Sequence, residues 1–270
     1  MHITILAGGT AGAAFVGEVA SLLRSEDRLS IIVNTAGDLW LHGLKVSPDL
    51  DLVLNALRPA PEDVETFATS EEIRRLGIEP SWLRPSDQDL AVHIVRTELL
   101  QAGFTLVQVA QAFAARMDIT AAVIPMTNDR VEQHAVVSNS EGSRAIHIAE
   151  FLAITGTDTP HQLTLVKAAD WAASPESLTA LEEADVIAIA PGIAELSLAP
   201  IVSTPGIGAA IESSTALLIR VATDRAEQPD GSIGWAQADE LLDGLVSKQG
   251  PIVCRADASS VMSAVGPAHR

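Results

Sequence analysis

The sequence predicts an α/β protein: a Rossmann-like, mostly parallel sheet with flanking helices and a helical insertion. Three observations carry this. The chain opens as strand, glycine turn, helix, strand, in "HITILAGG", "TAGAAFVGEVASLLR" and "LSIIVNTAG", the usual start of a parallel sheet with crossover connections. Short apolar strand-like runs return later, at "TAAVIPM", "VIAIAPG", "TALLIRVAT" and "PIVCRAD". Between the two sets lies a stretch of helical spacing that interrupts the alternation. With 270 residues the chain is long enough to bury a full core. It is expected to be a single domain over 1–270, with a helical subdomain at about 58–117.

Each element has its own signal. "PDLDLVLNAL" predicts a helix with Pro48 in its first turn, where the missing N–H costs nothing. "RPAPEDVETFATS" (58–70) is proline-rich and acidic, a surface connection. "SEEIRRLG" carries a capping serine and a terminal glycine. "SDQDLAVHIVRTELLQAG" predicts a long helix, capped by Ser86 or Asp87 and ended by Gly103. "TLVQVAQAFAARMD" predicts another. "TAAVIPM" and "EQHAVVSN" predict strands, with a hairpin-like turn at Asn139–Gly142. "AIHIAEFLAIT" is ambiguous in period and is assigned to strand. "SPESLTALEEAD" predicts a helix, and "VIAIAPGIAELSLAPIVSTPGIGAAI" a strand, a loop and a helix.

Composition narrows the function. The formal net charge is −18, so the surface repels nucleic acid, which needs basic patches to displace counterions. The lysines are Lys45, Lys167 and Lys248, and an anionic ligand therefore needs local amides, an arginine or a metal ion. No apolar run reaches the ~18–20 residues of a membrane span. Met1 leads directly into a strand with no secretion signal. The single cysteine, Cys254, excludes an internal disulfide and a thiolate cluster. These features predict a cytoplasmic protein with no nucleic-acid or membrane partner.

In α/β sheets, ligands bind beyond the carboxyl ends of the strands. One such end is the turn Gly8-Gly9-Thr10-Ala11-Gly12, whose helix-start amides suit a phosphate. Tight turn geometry alone also calls for glycine there. A second end, "NTAGDLWLHGLKVSPDLD" (34–51), begins with Asn34 and Thr35 and holds Asp38, Asp49 and Asp51. Magnesium prefers one or two carboxylates plus substrate phosphates, which Asp38 with Asp49 or Asp51 can supply. Solvated or helix-start aspartates explain the same pattern. His93 and Arg96 lie three apart on a predicted helix and share a face, preceded by Asp87 and Asp89. The loop "PMTNDRVEQH" (125–134) is polar and fits turn chemistry.

Taken together, "LAGGTAGAAF", "VNTAGDLWLHGLKVSPDLDLVL", "DQDLAVHIVRTELLQAGFTL", "VIPMTNDRVEQH" and "VIAIAPG…LSLAPIVSTPGI" resemble the 2-phospho-L-lactate transferases in order and spacing, over most of residues 1–210. That resemblance implies a Rossmann-like fold, a magnesium requirement and a role in coenzyme F-420 biosynthesis. A phospholactyl or phosphoenolpyruvyl group would pass from a guanosine diphosphate donor to the hydroxyl of a deazaflavin, with release of GMP. It implies that Gly8, Gly9 and Gly12, with Thr10, Asn34 and Thr35, face the substrate. It places Asp38 and Asp51 near the metal, and Asp87, Asp89, His93 and Arg96 at the substrate cleft, with His93 and Arg96 orienting substrate. A homodimer is the family's habit.

The chain also departs from the family's pattern. The first loop lacks a lysine, the acidic pair after "NT" is Gly37-Asp38, an arginine is replaced by Gln88, and the "PMT" loop carries Asn128-Asp129. The "APSNP" turn is "APGIAELS", and a late glycine-rich segment is missing. Two readings follow: a magnesium-dependent transferase, or a catalytically degenerate nucleotide-binding or regulatory protein on the same fold, resembling the gluconeogenesis factors.

Overall fold

The computed structural model describes residues 1–58, 64–139, 142–155, 160, 162–222, 252–255 and 262. Part of the proline-rich connection (59–63), the tip of the turn at Asn139–Gly142 and Lys248 lie outside the described residues. A six-stranded parallel sheet forms the centre. Its strands are β1 (His2–Ala7), β2 (Arg28–Val33), β5 (Ala122–Pro125), β9 (Val186–Ile189), β10 (Leu217–Ala222) and β11 (Ile252–Arg255). The spatial order is β5-β2-β1-β9-β10-β11, and every pair is parallel. Counting only these strands, the order is 3-2-1-4-5-6, the doubly wound Rossmann order. It reverses between β1 and β9.

The first strand shows why a parallel sheet forms here. Ile3, Ile5 and Ala7 enter one core and Leu6 the other, because successive side chains point to opposite faces. Both faces are covered, and all six residues are buried, apolar apart from His2 and Thr4. On one face lie α1 (Gly9–Leu22), α2 (Pro48–Leu57) and α5 (Leu106–Arg116), which contribute Val16, Val19, Leu50, Leu54, Val109 and Phe113. On the other lie α7 (Pro175–Glu182), α8 (Ala199–Ser203) and α9 (Ile207–Ser213), with Leu181, Ile201 and Ile207.

The helical stretch contains α3 (Ala68–Arg75), α4 (Asp87–Gln101) and α5. Ser86 caps α4, accepting from the Asp89 amide while Asp89 reaches back to the Ser86 N–H, a reciprocal capping box. Gly103 follows the helix at φ +92°, a left-handed value that ends it without a Cβ clash. The buried residues of α5 include Val109, Ala110 and Phe113 of the main core, so the helical stretch is joined to the sheet at that end.

Two smaller sheets flank the centre. β3 (Leu39–Leu41) and β4 (Leu44–Val46) form a hairpin within the long loop after β2, a pairing with no counterpart among the predicted elements. β6 (Val131–Asn139) pairs antiparallel with β7 (Gly142–His147) and β8 (Leu163–Lys167), in line with a turn at Asn139–Gly142. The assignment of "AIHIAEFLAIT" to strand needs correction. β7 stops at His147, and α6 (Ile148–Thr155) follows. Ile148 and Phe151 are its buried residues, three apart as one face of a helix requires. In the "APGIAELSLAPIVST" region, Ala194–Leu198 is one turn of π-helix leading into α8, where a plain loop and helix were expected. Among the described residues, no single helix is long and apolar enough to cross a membrane.

Candidate active site

The reversal between β1 and β9 marks the place, beyond the carboxyl ends of the strands, where doubly wound sheets have their ligand crevice, and three loops converge on it. After β1 come Gly8 and Gly9. After β9 comes the π-turn with Glu195 and Ser197. After β2 comes the loop from Asn34 to Ser47. Asn34 ties them together: Nδ2 donates to the Leu196 carbonyl at 3.2 Å and to Asp49 Oδ2 at 2.7 Å, while Oδ1 accepts from the Ala36 amide.

Gly8 is fixed by contact rather than by backbone angle. A Cβ there would lie 2.9 Å from Asp49 Oδ2 and 3.0 Å from both the Ser197 carbonyl and Asn34 Cβ. Gly9 is at φ +68° and donates its N–H to Asp49. Gly12 is under no such constraint: a Cβ added there would meet Ala7 Cβ and the Pro191 carbonyl at 3.5 Å, ordinary van der Waals contact. Thr10 is exposed on the first turn of α1. Gly8→Ala is therefore expected to lower stability by about 1–3 kcal/mol, the cost of overpacking a closed site, and to part Asp49 from the Gly9 amide. A urea unfolding midpoint equal to that of the parent would mean that the Ser197 turn yields freely.

Asp38 is 1% exposed. Its Oδ2 accepts from Ser47 Oγ at 2.8 Å and pairs with Lys45 Nζ at 3.1 Å, while its Oδ1 is buried without a partner among the described residues. Burial pushes its pKa above the ordinary carboxylate range, against the pull of Lys45 and Ser47. Thr35 Oγ1 is likewise buried and unpartnered among the described residues. Asp49 completes the group. Burial raises it to about 6, opposed by its bonds from Asn34 and Gly9 and reinforced by the negative charge of Asp38.

Asp51 stands elsewhere. Arg96 Nη1 donates to its Oδ2 at 3.2 Å and Arg96 Nη2 to its Oδ1, and His93 Nε2 lies 3.4 Å from Oδ2. Both Asp51 oxygens are thus engaged between α2 and α4. Asp51, expected at the metal, is engaged by Arg96, while Asp49 is the acid whose pKa responds to the charge of Asp38. Arg96 is fully buried over the Phe113 ring, and its Nη1 also donates to the Lys45 carbonyl at 3.3 Å. His93 is 4% exposed, with Nδ1 unpartnered among the described residues. These two residues reach the crevice through Lys45 and Asp51. Asp87 and Asp89 lie at the start of α4. Asp87 accepts from Thr66 and from the Ala68 and Thr69 amides, bonds that hold its pKa well below the usual range. Asp89 accepts from the Ser86 amide and hydroxyl. Both carboxylates are occupied with local structure at the far end of α4.

The small sheet closes one side. The Gln133 amide donates to the Ala36 carbonyl at 2.7 Å, and its side chain donates to the Glu195 carbonyl at 2.8 Å. His147 accepts at Nδ1 from the Ala149 amide, so in its neutral form Nε2 carries the proton and donates to the Asp38 carbonyl at 3.2 Å. Burial lowers its pKa, which keeps it neutral. Sequence reasoning missed Lys45, Ser47 and Ser197, and assigned the second carboxylate to Asp51. Lys45 had one available signal: it is one of only three lysines in a strongly acidic chain.

The fold and crevice define a Rossmann-type α/β protein with helix-start amides, a buried carboxylate (Asp38) and a partly buried one (Asp49) at its topological switch point. The chain belongs to the family described as 2-phospho-L-lactate transferase CofD, whose model matches residues 3–240. It is 35% identical over 251 residues to a phosphoenolpyruvate transferase of Mycobacterium tuberculosis (strain ATCC 25618 / H37Rv), covering 85% of this chain and 76% of that protein. The phosphoenolpyruvate transferase of Mycobacterium ulcerans is 33% identical over 239 residues, covering 81% and 73%. Among solved structures, a UPF0052 family member from Bacillus halodurans superimposes with a TM-score of 0.62 at 19% identity, covering 94% of this chain and 78% of the other. That likeness bears on the fold.

Proposed function

We propose that this protein is a transferase of coenzyme F-420 biosynthesis. It moves a phosphoenolpyruvyl or 2-phospholactyl group from a guanosine diphosphate donor to the hydroxyl of 7,8-didemethyl-8-hydroxy-5-deazariboflavin. The observation that carries this reading is the match to the transferase family over residues 3–240. The name of its relatives, phosphoenolpyruvate transferase, favours the phosphoenolpyruvyl donor.

The acceptor hydroxyl oxygen attacks the phosphorus that bears the organic group. The bond from that phosphorus to the GMP oxygen breaks, GMP leaves and the hydroxyl proton is released. Such a reaction rests on positioning and charge neutralisation. The residues present fit a magnesium ion. Asp38 Oδ1 is buried without a partner among the described residues, and the pKa values of Asp38 and Asp49 are both raised by burial, a cost that a cation relieves. Asp38 and Asp49 would hold the metal, which when bound neutralises the diphosphate. The Gly9 amide is taken by Asp49, and the other first-turn amides of α1, which lack intrahelical partners, suit the phosphate oxygens. Arg96 and Asp51 hold β4, and with it Lys45, in place.

The test combines protein, deazaflavin, guanosine diphosphate donor and magnesium, and follows GMP and the coupled product by mass. Product that disappears with EDTA supports the transferase. Asp38→Asn is expected to lower turnover by roughly 100-fold or more and to weaken magnesium-dependent donor binding. Unchanged magnesium dependence in that variant would remove Asp38 from the metal site. The altered loops noted above favour the second reading, a nucleotide-binding or regulatory protein. Nucleotide binding without acceptor binding or product would establish it.

A further inference from the structure

Lys45 lies on β4, directly opposite Trp40 on β3. Its carbonyl accepts from Arg96 and its amide donates to Thr97 Oγ1 at 2.8 Å, so its backbone is clamped to α4. Its side chain is 14% exposed, and Nζ stands 3.1 Å from Asp38 Oδ2. Arg96, the other cation brought to this cluster, is committed to Asp51 through both terminal nitrogens. Lys45 is held by a carboxylate through a flexible stem, so its ammonium can be re-aimed while its backbone stays fixed.

We propose that Lys45 binds the phosphate that is transferred, its ammonium passing from Asp38 to a non-bridging oxygen of that phosphate when the donor enters. This rests on the donor reading above. The reason is charge balance in a closed site. Asp38 is almost fully buried and its ammonium partner nearly so. Were Asp38 to hold a divalent cation, that ammonium would lack its counter-charge in a medium where an unpaired charge is costly. The donor's diphosphate is the anion that would replace it. A lysine ammonium suits this exchange because it acts as a compact point charge with three donors and needs no fixed fork geometry. It therefore supplies charge where the glycine turn, which has no lysine, offers only amides.

The experiment measures binding of GDP and of GMP, each with magnesium, to the parent protein and to Lys45→Met, Lys45→Gln and Lys45→Arg by calorimetry. A thermal melt serves as the folding control. GMP lacks the phosphate in question, so the difference between the two nucleotides isolates the contact. In Lys45→Met and Lys45→Gln, GDP is expected to weaken by about tenfold or more, the scale of a charge-assisted hydrogen bond, with GMP nearly unchanged. Lys45→Arg retains GDP within a few-fold. In turnover, the neutral variants lose kcat more than they raise KM for the acceptor. Equal weakening of both nucleotides would assign Lys45 to structure and overturn the proposal, as would GDP affinity that survives both neutral substitutions. Failure of the parent protein to bind either nucleotide would instead remove the donor reading on which the proposal rests.

Discussion

Replacing Arg96 by leucine is expected to lower the unfolding free energy by about 3–5 kcal/mol, because it strands a carboxylate in a site built for a pair. Arg96 is fully buried and engages both oxygens of Asp51. Its removal leaves Asp51 with His93 at 3.4 Å. The same change frees the Lys45 carbonyl and loosens β4 from α4. Removing both charges, as Arg96→Leu with Asp51→Leu, is expected to recover much of the loss, since no uncompensated charge then remains. Urea unfolding of the four proteins in the cycle checks this. A loss below about 1 kcal/mol for the single variant would place Asp51 among solvated surface acids. Turnover is expected to fall in both variants, because β4 and Lys45 lose the bond from Arg96.

Asp49→Asn is expected to behave in the opposite sense: more stable, yet inactive. The folded-state pKa of Asp49 is raised to about 6, above its ordinary value. The folded protein therefore holds the proton more tightly than the unfolded chain. The stability it contributes is fully present below the unfolded pKa and is lost as pH rises through 6. At pH 8 this costs the parent up to about 3 kcal/mol. Asparagine removes the titration and can still accept from Asn34 and Gly9 through its own Oδ1. The gain over the parent is expected to be about 1–3 kcal/mol at pH 8 and to shrink to about 1 kcal/mol or less at pH 4.5. Unfolding midpoints at the two pH values check the sign. A variant less stable than the parent at pH 8 would mean that the carboxylate is stabilised in the folded protein. The predicted loss of transfer places Asp49 in the group of residues whose strain serves function, a familiar exchange of stability for activity.

Much of the architecture was legible because its signals are local. The β–turn–α–β opening, the Pro48 helix start, the Ser86 cap and the Gly103 stop each depend on a few adjacent residues. The structure contains a helix or strand where each of them pointed. The failures have physical reasons too. "AIHIAEFLAIT" is apolar at most positions, and periodicity alone cannot separate strand from helix in such a run. The β3–β4 hairpin has three residues per strand, too few for alternation to register. Its pairing is held from outside, by Thr97 and Arg96 on α4.

The same division applies to the crevice. By itself, the sequence determined the fold class, the glycine turn after the first strand and the set of acids around residues 38–51. These follow from residue type and short spacing. Asp49 and Asp51 are two apart on a helix and so do not share a face; the expectation for the second carboxylate did not draw on this and left either open. Which of the two faces the crevice was decided only by tertiary packing. α2 lies between α1 and α4, so one face meets the Gly9 amide and Asn34 while another meets Arg96 and His93. Their surroundings then differ: Asp51 is paired with the buried Arg96, and Asp49, bonded by the neutral donors of Asn34 and Gly9, is raised in pKa.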